Sequence, residues 1–508
     1  EYETLQEAIN KAEKGATIEL IDNTTENITI DSGKDITIDL GEYTITNKDG
    51  HTITNNGTLT IKGDGTVDNI THEKVAVWNN GVMKISGGTY TRSQENGKYD
   101  SKGDDPGLNS YYVILNRGNM TIKDARVEAD GGYSSLIENG WYNGTENTGE
   151  ENSVLIIEDG YFSGGLNTVK NDEYGELTIN GGNFENVSQA TVQNWNIATI
   201  NDGDFDSDAP YCILTGSYQY YDSKIDYVNG KTEINGGTFK SADVCIAQYV
   251  NGSTNYSPTS IEINGGNFKS ERDDGEIFDS KIKSSEENGD LEINITNGSF
   301  TSDVSAYLAE DSNLVMDEDG NYVIVGDEEI KDSKFYISDE KALKKAIDNQ
   351  ADGVTWVLKN SFEVKEMIKI TKNNVTFDGN GKTLTFAEDI SSNGDGNNSF
   401  IEIEDVGGIV IKDINLDGNN KVHHGINIFT HADKTQAELE VDNVVIENCK
   451  GYAITNNASK VTVTDLETSG NGWGGINVDN SKNGDDCGAE LIINNANIKD
   501  SNSVKIEN

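Results

Sequence analysis

The sequence predicts an all-β chain folded as two consecutive right-handed parallel β-helices. Three observations predict it. A short segment ending in an aromatic residue recurs along the first part of the chain. A second, unrelated column of residues advances in step with it. The chain also opens twice with the same short helix followed by a strand.

Four copies set the register of the recurring segment: Leu177–Phe184, Thr232–Phe239, Ile261–Phe268 and Met83–Tyr90. Looser copies are Leu155–Phe162, Ala198–Phe205, Leu291–Phe300, Met120–Val127, Ile36–Tyr43 and Leu59–Val67. Each begins with apolar residues two apart, such as Leu177 and Ile179, the alternation of a strand with one buried face. A Gly-Gly or Asp-Gly pair follows, and glycine permits the positive φ of a tight corner. The closing residues Tyr43, Val67, Tyr90, Val127, Phe162, Phe184, Phe205, Phe239, Phe268 and Phe300 read as one internal stack.

The second column is aliphatic-x-Asn: Ile53 to Asn55, Val77 to Asn79, Ile114 to Asn116, Ile137 to Asn139, Val169 to Asn171 and Val192 to Asn194. Thr215, Gln248 and Asp279 continue it. Coils of about 22 residues carrying three short strands explain both columns. Coils stack about 4.8 Å apart, so identical polar residues can hydrogen-bond up the stack. A propeller would need antiparallel hairpins, and their two-residue turn signals are missing.

Each module begins with a capping helix, because an open solenoid end exposes apolar side chains and unpaired strand edges. Thr4 to Glu7 reads as a capping box ahead of Leu5, Ala8, Ile9 and Ala12, with Gly15 as the stop. Ser338 precedes Leu343, Ala346 and Ile347 in the same way, with Gly353 as the stop. The first β-helix is expected over 1–332, closed by the segment Ser302–Ala309 and a hairpin over Asn313–Val325. The second is expected over 333–508, with coil strands from Val375, Ile409, Leu439, Val461 and Leu491. Asn456 and Asn480 are expected to resume the asparagine column, and the open C-terminal end implies that more protein follows.

Composition narrows function. Charged residues make up 25% and hydrophobic residues 34%, but the apolar ones recur in register, so this is a folded chain. A net charge of -49 repels nucleic-acid phosphates and anionic lipid, which argues against both as partners. No apolar run reaches the roughly 18 residues needed to span a membrane. The chain begins at Glu1 with neither Met nor a signal sequence and ends without a sorting motif, as a mature or excised fragment would.

The helix–strand opening, the Ile-Asn-Gly-Gly-Asn-Phe coils and the segment Ser302–Ala309 resemble the pectate-lyase-like adhesive modules of Gram-positive gut bacterial surface proteins. The resemblance covers nearly the whole chain. It implies an extracellular location on the cell surface or wall. It also implies a non-catalytic adhesin segment, monomeric within a larger protein, that binds a host or microbial glycan or protein.

Two other functions compete. The same fold carries polysaccharide lyases and glycoside hydrolases, which need carboxylates with a basic residue, or paired carboxylates. Asn483 to Cys487 resembles the paired-Asp segment of polygalacturonases and His424-Gly425 their His-Gly segment, but the order is reversed here. Asp485 and Asp486 read as a solvated loop, so no catalytic residue is assigned. A structural spacer or self-assembling stalk is the other alternative, and it should lack an aromatic patch.

His423, His424 and His431 flank an expected strand without the i, i+4 spacing of a zinc helix. Neither an EF-hand loop nor a Gly-Gly-x-Gly-x-Asp nonapeptide occurs. No metal site or cofactor is therefore expected beyond weak, nonspecific Ca²⁺. Cys212 and Cys245 should be neighbours on adjacent coils, either disulfide-bonded or as a free pair. The binding expectation rests on insertions at one corner: 140–152 with Trp141 and Tyr142, 216–230 with Tyr218, Tyr220, Tyr221 and Tyr227, and 249–259 with Tyr249 and Tyr256. Tyr-rich loops bearing Gly, Ser and Asn are typical of adaptable binding surfaces.

Overall fold

The computed structural model describes all residues except 95–110, 133, 142–151, 219–229, 252–259, 392–397, 432, 480, 483–484, 487, 500–505 and 508; of 217–218, 249–251, 481–482, 485–486 and 507 it describes the backbone alone. The chain forms two compact units, Glu1–Ala309 and Glu310–Asn508. The boundary thus falls before the hairpin Ser312–Met316/Tyr322–Gly326, not near residue 332. The reason is packing. Val315 and Met316 share a buried cluster with Ile330, Phe335 and Trp356 of the second unit.

The first unit is a right-handed parallel β-helix with three sheets. The first sheet stacks eleven strands, from Ala16–Glu19 to Glu292–Ile295. The second runs from Thr24–Thr25 to Gly298–Phe300. The third stacks nine, from Ile28–Ile30 to Val244–Asn251. Six phenylalanines, Phe162, Phe184, Phe205, Phe239, Phe268 and Phe300, lie in one column with ring centroids 4.6 to 5.1 Å apart and planes within 11°. All are buried. Their spacing is that of the strands, which pair Phe184↔Phe205 and Phe205↔Phe239 in register.

Tyr43 does not join this column. Ile45 takes the place beside Val67, because the corner Leu40–Tyr43 is two residues longer here. Tyr90 is in the column, and its buried hydroxyl has no hydrogen-bond partner among the described residues.

The asparagine column is a continuous ladder. Asn55 donates to Asn79, Asn79 to Asn116, Asn116 to Asn139, Asn139 to Asn171, and Asn171 to Asn194, each Nδ2 to Oδ1 at 2.7 to 2.9 Å. Asn55, Asn79, Asn116 and Asn194 also hold the corner, each Oδ1 accepting the N–H two residues on. The Oδ1 of Asn79 accepts the Gly81 N–H, and its Nδ2 reaches the Asn119 carbonyl one coil on. After Asn55, Asn79 and Asn116 the residue two on is glycine because the stack leaves no room: a Cβ at Gly118 would sit 2.2 Å from the Gly81 carbonyl oxygen. At Thr215 the ladder ends, and Asn194 donates to Thr232 instead.

The first capping helix spans Leu5–Lys11, with the Thr4 hydroxyl accepting from the Glu7 N–H. The second spans Glu340–Asp348, and its N-cap is Asp339, not Ser338. A carboxylate there satisfies the Ala342 N–H and faces the positive helix end. A third helix, Ser280–Glu287, was not expected; Asp279 leaves the asparagine column to cap it.

The second unit is also a parallel β-helix, built differently. Its strands Thr376–Phe386, Ile409–Asp417 and Glu438–Glu447 run through the place where the first unit turns between sheets one and two. The bend is made within each strand at positive φ: by Asn380 at 50° with Gly381 at 71°, by Asp413 at 52° and by Asn443 at 53°. Asn and Asp tolerate this conformation best after glycine. The other side is a sheet of six strands, including Ser399–Glu404, His424–Phe429, Tyr452–Asn457 and Gly474–Asp479.

Candidate functional site

Tyr142, Tyr220, Tyr221, Tyr227 and Tyr256 lie outside the described residues, and of Tyr218 and Tyr249 only the backbone is described. The strands Tyr211–Tyr218 and Val244–Asn251 pair in register as far as Tyr218↔Asn251, so the two Tyr-bearing insertions leave from adjacent strands. Cys212 and Cys245 are buried free thiols, and burial pushes the Cys212 thiol well up. Asp485 and Asp486 pair antiparallel with Ser481–Lys482.

Trp141 is described, and it belongs to a cluster on the outer face of the first unit's third sheet. The middle residue of each aliphatic-x-Asn triplet points outward there. Glu138 and Lys170 hold this place on adjacent strands. Lys170 Nζ meets Asp172 Oδ2 at 2.5 Å, and Trp141 bridges to Glu173 through the backbone. The Arg117 guanidinium lies 5.7 Å from the Trp78 ring and 5.9 Å from that of Trp141.

All four of Glu138, Lys170, Asp172 and Glu173 are buried. Burial first, and then the Asp172 charge against the pull of Lys170, pushes the Glu138 carboxyl up to about 8. Burial and Asp172 do the same to Glu173, also to about 8. At neutral pH both glutamic acids are therefore mainly uncharged.

The second unit's six-stranded sheet has a polar outer face with an open edge. Ile401, Ile403, Ile426, Ile428 and Ile454 point inward and are buried. Glu402, Asn427, Thr455 and Asn477 alternate outward, and Asn427 Oδ1 accepts from Thr455 and Asn457.

At one edge of this face stand His423, His424, Tyr452 and Trp473. Trp473 meets His423 edge-on at 4.5 Å, Tyr452 at 5.7 Å and His424 at 5.8 Å. The Trp473 side is open: the residue is 48% exposed. Three successive coils place these rings through backbone bonds, Gly451 N–H to the His423 carbonyl and Trp473 N–H to that of Gly451. Gly451 is required, since a Cβ would lie 2.6 Å from His424 Nδ1 and 2.8 Å from His423 Cδ2. Lys450 adds a cation, paired with Asp389 at 3.2 Å and hydrogen-bonded to Ser391. Burial, and then the Lys450 charge, hold the His423 imidazole below its ordinary range.

The opposite edge carries Glu404, Asp405 and His431. His431 Nδ1 lies 2.7 Å from Asp405 Oδ2 and 3.5 Å from Glu404 Oε1.

Sequence reasoning found His423, His424 and His431 as turn residues and missed their partners. Trp473, Tyr452, Glu404 and Asp405 lie 26 to 50 positions from the histidines they meet. The signal that could have found them is the coil register, Ser399↔His424 and Tyr452↔Gly474, which brings the flanking residues side by side. The unexpected break is at Asn456, whose neighbour on the next strand is Val478, so the asparagine column does not resume there.

No family model matches the chain, and no curated protein matches it. Among solved structures it is similar to the PL6 family alginate lyase AlyGC at 11% identity and a TM-score of 0.21, covering 96% of this chain and 87% of that one. A mutant of the same lyase gives 12% identity and a TM-score of 0.25, with 97% and 84% covered. A likeness of that size places no residue and assigns no activity; the parallel β-helix stands on the strand pairing itself.

Proposed function

We propose that this chain is a non-catalytic binding segment of a bacterial surface protein, and that the outer face of the second unit's six-stranded sheet takes a glycan. The observation that carries this is the Trp473 corner. A half-exposed indole, held edge-on by His423, His424 and Tyr452, offers a flat apolar face to a sugar ring. Lys450, Asp389 and Ser391 stand nearby as donors and acceptors for hydroxyl groups. Binding sites of this kind combine an aromatic anchor with a few convergent polar groups. The test is a glycan array probed with the purified chain and with Trp473→Ala. A glycan signal lost in the variant, with an unchanged circular dichroism spectrum, supports the reading. Undiminished binding by the variant removes this corner as the site.

A second reading, a polysaccharide lyase, is favoured by one observation. Arg117, Lys170, Glu138, Asp172 and Glu173 meet on the outer face of a β-helix sheet, and eliminases need such basic and acidic groups together. Their burial weighs against it, because a polymer must reach the base. Incubation with pectate, polygalacturonate and alginate should yield no unsaturated ends. Turnover that disappears in Lys170→Ala establishes the lyase instead.

A further inference from the structure

We propose that Glu404, Asp405 and His431 form a binding site for one first-row divalent transition ion, with zinc as the preferred occupant. The site is independent of the glycan reading. Its three donor atoms, one from each side chain, lie within 4.8 Å of one another.

The backbone sets this geometry. Glu404 ends its strand paired with Phe429, so Asp405 and His431 leave the sheet together at the same edge. The Asp405 N–H donates to the Phe429 carbonyl at 3.2 Å, and the His431 N–H returns a bond to Asp405 Oδ1 at 2.7 Å. The Phe429 ring packs edge-on against the His431 ring at 5.3 Å. Asp405 and His431 are thus already turned toward each other before a ligand arrives.

An imidazole distinguishes this cluster from an acidic patch. Zinc binds His nitrogen and carboxylate oxygen at about 2.0–2.2 Å, which leaves neighbouring donors about 3–3.5 Å apart. His431 Nδ1 already has carboxylate oxygens at 2.7 and 3.5 Å. The His431–Asp405 hydrogen bond occupies the place the ion would take, and binding would replace it. One nitrogen with two carboxylates suits zinc and its neighbours; calcium would call for about six to eight oxygens. The side chains of His431, Glu404 and Asp405 are 40%, 42% and 19% exposed, so water can complete the coordination. The net charge of -49 adds a general attraction for cations.

The test is calorimetric titration of the chelator-stripped full chain with zinc chloride, repeated in excess calcium chloride. One saturable zinc site per chain that calcium does not displace is expected. His431→Ala and Asp405→Asn should each weaken it by at least about 100-fold, the upper end of what the loss of a mere supporting group costs. His72→Ala should bind as the parent does. Absence of saturable zinc binding by the parent overturns the proposal, and so does unchanged affinity in His431→Ala. Should that variant lose its circular dichroism spectrum, Glu404→Gln decides: native spectrum with unchanged zinc affinity also overturns it.

Discussion

Asn171 and Asn456 each follow an aliphatic-x pair in a coil strand, and they live in different surroundings. Asn171 has Asn139 on one side and Asn194 on the other, and its amide also meets the carbonyls of Gly175 and Ile197. Asn456 lies between Ile428 and Val478, and its Nδ2 turns to the Glu490 carbonyl. The first unit thus lines the inner edge of its third sheet with a polar ladder, while the second lines it with aliphatic residues. Their outer faces differ too. In the first unit the outward positions Leu115, Glu138, Lys170, Gln193, Leu214 and Ala247 are all buried. In the second, Asn427 and Thr455 are buried too, Glu402 and Asn477 remain partly open as Thr54 and Trp78 do in the first, and an exposed tryptophan stands at the edge. Both outer faces are closed at their centre, and the exposed tryptophan flanking the strands is what sets the second apart.

The largest effect should come from the aromatic column, which belongs to the first unit alone. Phe239 has a parallel ring on each side, at 4.7 and 4.6 Å. Phe239→Ala should destabilise the first unit by about 3–5 kcal/mol in urea unfolding. A loss below about 1 kcal/mol would show that the stack can collapse around the gap.

The closed face should make the first unit sensitive to pH. Glu138 and Glu173 ionise near 8 when folded and near 4.5 otherwise, so the folded state holds more protons between those values. Stability is then fully present below about 4.5, falls as pH rises towards 8, and levels off beyond. The slope should approach about 3 kcal/mol per pH unit for the two carboxyls together, and Glu138→Gln should roughly halve it. A slope unchanged in that variant would place the proton elsewhere.

The ladder gives a smaller, paired prediction. Asn171→Ala removes one partner from the Asn139 amide, which keeps the Glu176 carbonyl, and one from Asn194 Oδ1, which keeps the Asn196 N–H, and should cost about 2–3 kcal/mol. Asn456→Ala breaks no ladder and should cost about 1 kcal/mol. Equal losses in denaturant titrations would erase the distinction between the two asparagines. Smallest of all is Trp473→Ala, expected within about 0.5 kcal/mol of the parent because its ring faces solvent. A large loss there would mean that Trp473 is packing, not a platform.

Much of the first unit was legible in the sequence. The Phe column and the ladder from Asn55 to Asn194 follow from spacing, since stacked coils put equivalent residues about 4.8 Å apart and like pairs with like. Tyr43 was misplaced because a corner two residues longer shifts the count without changing the pattern. The second unit repeats less tightly, so Asn456 was read into a column that the coil register denies it.

What the sequence determined by itself is whatever repeats: the strands, the corners, the inward columns and the two capping helices. Only the tertiary structure decided which non-repeating residues meet. Trp473 reaches His423, and His431 reaches Glu404 and Asp405, because coils of different length return the chain to the same edge. A solenoid translates sequence periodicity into position, so a residue outside the period gains its neighbours only when every intervening loop length has been settled.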